Sequence, residues 1–162
     1  MSNITIRRAE RGDAERLHAA LFQLSADMGD THVASLDDVI RHGFSETPAF
    51  FALLAIRPSD DRTLGVLQAS PVFSTTRGGT GLYVSDLWVD GKARGEGLGQ
   101  RLLAASLDLA PDSWTPVFLK LAVYHDNPDA RRFYERLGFG PREGETVFDL
   151  RAPALDKLRD RS

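Results

Sequence analysis

Leu82-Tyr83-Val84-Ser85-Asp86-Leu87-Trp88-Val89-Asp90-Gly91-Lys92-Ala93-Arg94-Gly95-Glu96-Gly97-Leu98-Gly99-Gln100 passes from an apolar strand through a glycine-rich turn into a helix. Leu82 to Val89 reads as the strand. From Leu98 the helix carries Leu102, Leu103, Ser106 and Leu109 along its apolar side. Glycines let a backbone approach a ligand closely, and free N–H groups at a helix start bind anions, so a pyrophosphate is the natural occupant. Two commoner phosphate motifs do not fit. A Rossmann fingerprint needs a third glycine where Gln100 stands. A P-loop needs Gly-Lys-Ser/Thr where the chain reads Gly99-Gln100-Arg101. The alternative is a tight strand-to-helix turn whose glycines serve packing alone.

Downstream, Pro111 and Pro116 interrupt, and Val117 to Tyr124 predicts a strand. Asn127-Pro128-Asp129-Ala130-Arg131-Arg132-Phe133-Tyr134-Glu135-Arg136-Leu137-Gly138-Phe139 predicts a helix, with Pro128 suited to its first turn and Gly138 ending it. Asn127, Ala130, Phe133/Tyr134 and Leu137 recur at helical spacing, so one face can line a groove. Taken alone, Tyr134 also reads as an amphipathic aromatic with its hydroxyl at the surface. Thr146 to Leu150 predicts a last strand, and the charged tail from Arg151 a frayed end.

Upstream, Ile4 to Arg8 is a first strand. Asp13 is the N-cap of a helix with Ala14, Leu17, Leu21, Leu24 and Met28 in one stripe, stopped by Gly29-Asp30. Ser35 caps a short helix with Asp37 and Asp38 in its first turn, Val39, Ile40 and Phe44 on its apolar side, and Gly43 as C-cap. Phe50 to Ile56 and Leu64 to Phe73 are strands, with turns at Pro58-Ser59-Asp60-Asp61 and Gly78-Gly79-Thr80-Gly81. The order β-α-α-β-β-β-α-β-α-β predicts an α/β fold. It is a single mixed, mostly antiparallel sheet with helices on both faces, in one domain over residues 1–162.

Composition excludes several classes. The chain has 162 residues, enough for one domain with a hydrophobic core. A net charge of -3 gives no nucleic-acid or anionic-membrane footprint. No apolar run approaches the roughly 20 residues that span a bilayer. Met1 to Arg8 alternates polar and apolar residues and lacks the layout of a signal peptide, so it reads as part of the mature protein. Cysteine is absent, which removes disulfides, thiolate metal sites and cysteine nucleophiles together. A cytoplasmic location is the simplest expectation.

At Arg94, Gly97 and Gly99 the turn resembles the central motif Arg/Gln-x-x-Gly-x-Gly/Ala of the GNAT superfamily of N-acetyltransferases. Asn127 to Phe139 is similar to that family's Asn-x-x-Ala-x-x-Phe-Tyr-x-x-x-Gly-Phe signature, with every specified position filled. The resemblance implies the acetyl-coenzyme A fold and an enzyme that moves acetyl from acetyl-coenzyme A to an amine. It implies that Arg94, Gly95, Glu96, Gly97, Leu98, Gly99 and Gln100 grip the pyrophosphate. Leu87, Trp88 and Val89 would offer backbone groups to the pantetheine arm, on a strand that a β-bulge splays from the next. Asn127, Ala130 and Phe133 would line the cofactor groove, with the Tyr134 hydroxyl at the sulfur.

Acetyl transfer from a thioester to an amine makes three demands. The amine must be neutral, the oxyanion stabilised and the thiolate able to leave. An alkyl ammonium near pKa 10.4 is neutral at pH 7 only on the order of one part in a thousand. This costs roughly 4 kcal/mol unless a base or water relay removes the proton. A strand N–H from Leu87 to Val89 can meet the oxyanion. Tyr134 can donate to the departing sulfur. Asp86 is the first candidate for orienting the amine or taking its proton through water; the alternative is a carboxylate capping a turn or pairing with an arginine. Strict alternation sends Ser85 and Asp86 to opposite faces unless a bulge intervenes. His125, at a strand end, can relay a proton. His18, His32 and His42 lack metal-like spacing and read as surface or packing residues; no metal is expected.

Three stretches resemble the spermidine/spermine (diamine) and thialysine acetyltransferases within that family: Arg41 to Pro48, Leu82 to Val89, and Asn127 to Gly138. Ser85 stands where those enzymes carry a glutamate proposed to handle the ammonium proton. This likeness implies a homodimer and a small primary amine held by Asp86 and Ser85, with Asp27 or Asp30. Two further readings stay open. One is acetylation of a peptide N-terminus or lysine; the other is a non-catalytic acyl-coenzyme A-binding module.

Overall fold

The structure is a computed structural model. It describes residues 3–160, which divide between two compact units, Met1–Ala122 and Val123–Ser162. In the first unit, β1 (Thr5–Arg8), β2 (Phe51–Arg57), β3 (Arg62–Ser74), β4 (Gly79–Val89) and β5 (Phe118–Lys120) form one sheet in that spatial order. Neighbours from β1 to β4 run antiparallel, and β4 pairs with β5 in parallel. Three helices belong to this unit: α1 (Ala14–Met28), α2 (Leu36–Gly43) and α3 (Leu98–Asp108).

Strand alternation sorts the sheet residues into two faces. Leu54 pairs with Val66 and Val66 with Trp88, so these three share a face. They bury together with Leu17, Ala20 and Leu21 of α1 and Val39 of α2. Leu53, Gly65 and Leu67 point the other way, where a Cβ on Gly65 would come within 3.0 Å of Leu102 and 3.5 Å of Leu98 on α3. Helices therefore cover both faces. The α1 stripe behaves as its period requires: Leu17 and Leu21 are buried, each contributing about 2 kcal/mol of burial, whereas Met28 at the helix end is exposed. Among the described residues no helix is long and apolar enough to cross a membrane.

Local chemistry differs from expectation at several ends. Ser35 does cap α2: its Oγ accepts from Asp38 N, and the Asp38 carboxylate accepts from Ser35 N in return. The helix runs through Gly43, however, and Phe44 is the C-cap. Asp13 stands at the N-cap of α1 without making a cap bond. Its carboxylate instead accepts two 2.7 Å bonds from Arg7 and one from Glu10 N, because a guanidinium and a preceding 3-10 turn (Arg11–Asp13) reach it first.

The second unit holds α4 (Pro128–Arg136) and α5 (Ala154–Arg159). Two strand expectations are corrected. The strand foreseen over 117–124 is regular only in β5, and 146–150 forms no strand, with Val147 and Phe148 exposed. An alternating pattern makes a segment able to pair, but a strand exists only where a neighbour completes its hydrogen bonds. The tail foreseen as frayed contains α5.

Candidate active site

The β3–β4 ladder slips by one residue between Gln68 and Ala69: Gln68 faces Asp86, while Ala69 faces Val84. Ser85 is the extra residue of a β-bulge. The consequence is chemical. Gln68 Nε2 donates to Ser85 Oγ at 3.2 Å and to Asp86 Oδ2 at 3.1 Å, so both side chains lie on the Gln68 side of the sheet. Gln68 is two residues from Val66 and Asp86 two from Trp88, which places this pair on the α1 face. Burial pushes the Asp86 carboxyl up, and the Ser85 hydroxyl and the charge of His32 oppose that shift. His32 had read as a packing residue; the fold brings it within electrostatic reach of Asp86, from a loop that no local pattern links to β4.

Beyond the bulge, β4 loses one neighbour. β5 pairs only with Gly81, Leu82 and Tyr83, so from Val84 to Val89 the only strand paired with β4 among the described residues is β3. That is the splay a thioester arm needs in order to reach backbone groups of Leu87, Trp88 and Val89. The Trp88 ring does not take part: it is buried in the core, leaving only its backbone for a ligand.

The turn that follows is exposed from Arg94 to Gly97. Gly95 and Gly97 hold φ of 82° and 75°, left-handed values that suit glycine, and a Cβ at either would meet nothing within 4 Å. Gly97 is the N-cap of α3 and supplies no side-chain cap. The first backbone bond of the helix is Arg101 N to Gly97 O, so the N–H groups of Leu98, Gly99 and Gln100 have no helical partner. Open space, left-handed glycines and unpartnered N–H groups fit a pyrophosphate.

Arg94 and Asp27 occupy other roles than expected. Arg94 folds back, donating from Nε to Val89 O at 3.0 Å and from Nη2 to Asp27 at 2.8 Å. Asp27 also accepts from Trp88 Nε1 at 3.0 Å and Gln23 Nε2 at 2.8 Å. The Gln23 bond first, then those of Trp88 and Arg94, hold its carboxyl below the usual range. A cleft of about 550 Å³ opens here, yet its Arg16, Arg62 and Arg94 each pair with an aspartate, namely Asp61, Asp90 and Asp27. Asp27 thus ties α1 to the end of β4, and its lone pairs are already engaged.

In the second unit, Asn127 is the N-cap of α4, and its Oδ1 accepts from Ala130 N at 3.1 Å. Pro128 follows in the first turn. Phe133 and Phe139 meet the Tyr134 ring edge-on at centroid distances of 5.0 and 5.4 Å. Burial pushes the Tyr134 phenol up to about 12, so it is protonated at neutral pH and acts as a donor. His125 is exposed in the turn before α4.

Comparison with known proteins agrees with this geometry. The model of the Acetyltransferase (GNAT) family matches residues 15–139. A thialysine N-epsilon-acetyltransferase of Sus scrofa is 27% identical over 98% of each chain. The peptidyl-lysine N-acetyltransferase YjaB of Salmonella typhimurium is 26% identical over 93% of this chain and 92% of its own. Among solved structures, an integron cassette protein from the mobile metagenome of V. cholerae superposes with a TM-score of 0.78, at 24% identity over 98% of each chain.

Proposed function

Because the chain belongs to the GNAT family of acetyltransferases, we propose that it moves acetyl from acetyl-coenzyme A to a small primary amine, of the diamine, polyamine or thialysine class. The observation that carries this reading is the bulge at Ser85, which turns two adjacent polar side chains, Ser85 and Asp86, onto one face beside the unpaired part of β4. Acetyl-coenzyme A supplies an activated acyl carbon on a thioester. The chain's own residues do the rest. The turn from Gly95 to Gln100 holds the pyrophosphate through backbone N–H groups. Asp86 and Ser85 hold the ammonium group of the acceptor. A backbone N–H between Leu87 and Val89 stabilises negative charge at the acyl oxygen.

Tyr134 on α4 takes the part of donor to the departing sulfur. Its elevated pKa decides the form of that help. Full transfer from a phenol near 12 to a thiolate near 8.5 is uphill by about 5 kcal/mol, whereas a hydrogen bond to the sulfur carries no such cost. The two units form one catalytic domain in this reading, in keeping with a family match that crosses their boundary at Ala122 and Val123. The reading also includes a homodimer in the cytoplasm; a monomer-sized particle in solution scattering removes the dimer.

A second reading, lysine acetylation on a peptide, is favoured by the likeness to the Salmonella enzyme. Thiol release from acetyl-coenzyme A, followed with diamines, polyamines, lysine, thialysine and short peptides, separates the two. With no cysteine in the chain, all thiol signal comes from the coenzyme. Release with small amines and none with peptides supports the first reading; the converse replaces it. Silence with every amine, with coenzyme A still bound, points to a binding module instead.

A further inference from the structure

We propose that His32 is the proton acceptor for the amine, held as a bare Nε2 base by Ser25 and backed by Asp86. This inference rests on the acetyl-transfer reading above and names its missing base. Ser25, near the end of α1, donates its one hydroxyl proton to Leu21 O at 3.2 Å, a back-bond within the helix. Its oxygen lies 2.9 Å from His32 Nδ1. With the hydroxyl proton already used, the oxygen must accept, so Nδ1 carries the hydrogen. In the neutral ring Nε2 is then a lone pair. That atom is buried and has no hydrogen-bond partner. An unpaired buried acceptor costs about 1–3 kcal/mol, and such a group in a native fold calls for a use.

The surroundings give it one. Phe22 and His18 of α1 meet the His32 ring edge-on at 5.4 and 5.2 Å and fix its plane. His18 is itself committed through Nε2 to Ala34 O at 3.0 Å, so a hydrogen sits on that nitrogen. The titratable groups facing His32 are therefore His18 from α1 and Asp86 from β4. The bulge turns Asp86 toward the α1 face, and its carboxylate stabilises an imidazolium once Nε2 gains a proton.

The step balances as follows. The ammonium N–H bond breaks and its proton goes to His32 Nε2. The freed lone pair of the neutral amine forms the new C–N bond at the acyl carbon. The C–S bond breaks, and the sulfur leaves with the pair. The second amine proton neutralises the thiolate, and His32 returns its own proton to water.

The test compares wild type, His32→Asn and Ser25→Ala. Asparagine keeps an N–H toward Ser25 and removes the Nε2 base. Long-range 1H–15N NMR on wild type should show the Nδ1–H tautomer of His32. In His32→Asn, kcat with the best amine should fall about 10²- to 10⁴-fold. The acid limb of kcat/KM should vanish, with KM changed less than threefold. Ser25→Ala keeps the ring, frees its tautomer and should lose about tenfold in kcat. An Nε2–H tautomer in wild type overturns the proposal, as does normal turnover of His32→Asn with an unchanged pH profile. Absence of thiol release by wild type with any amine sinks the acetyl-transfer reading itself, and the base with it.

Discussion

Ser85 and Asp86 are consecutive in the chain, yet both accept from the same Gln68 side-chain nitrogen, at 3.2 and 3.1 Å. A regular strand forbids this, since neighbours point to opposite faces. The one-residue slip opposite Gln68 and Ala69 permits it. The acidic end of the candidate site is thus a product of backbone irregularity, and the substitutions that probe it can be chosen accordingly.

Asp86→Asn should separate stability from activity. Burial raises this carboxyl, so the native state binds the proton more tightly than the unfolded chain, and stability falls as pH rises through the window above 3.8. Asparagine keeps an acceptor for Gln68 and removes the buried charge. The urea midpoint at pH 7 should rise slightly while KM for the amine increases about tenfold. An unchanged KM removes Asp86 from the site.

Gly97→Ala should fold and bind the cofactor poorly. A Cβ there touches no protein atom, but φ of 75° costs a non-glycine residue about 1–2 kcal/mol. The methyl also enters the space from which an anion approaches the N–H groups of Leu98 to Gln100. Coenzyme A affinity by calorimetry should drop about tenfold or more, with a smaller loss in urea midpoint.

Asp27→Ala removes the acceptor shared by Gln23, Trp88 and Arg94. Stability should fall by about 1–3 kcal/mol, measured by urea denaturation. KM for the amine should stay within twofold. A tenfold rise in KM at unchanged stability would restore Asp27 to the amine site.

Tyr134→Phe keeps both ring contacts and removes one hydroxyl. Single-turnover rates should fall about 10- to 10²-fold with coenzyme A affinity unaltered. Equal rates in the two proteins would leave the tyrosine a packing role.

Asp13→Asn tests the first unit's entry into α1. Two bonds from Arg7 lead the causes that lower this carboxyl to about 2. A depressed pKa contributes stability that is present above 3.8 and lost as pH falls through about 2. Arg7 is partly solvent-screened, so the expected loss is about 1 kcal/mol at pH 7. Urea titrations should show the difference between the two proteins shrinking between pH 4 and pH 2.

The sequence by itself determined what depends on near neighbours along the chain. The glycine turn, the Ser35 cap, the Asn127 cap and the apolar stripes of α1 and α3 are set by bonds and periods spanning a few residues, so their residue types announce them. The α/β class and the mostly antiparallel sheet followed from the order of those elements. Tertiary structure alone decided the rest. Whether 146–150 pairs depends on an available edge, not on its alternation. Asp27 reads as a free acid until Trp88 and Arg94 reach it from across the fold. His32 reads as a packing residue until Ser25 fixes its tautomer and β4 brings Asp86 within reach. Those outcomes are set by hydrogen bonds and charges between residues distant in sequence, which meet only after the sheet and α1 have closed on one another.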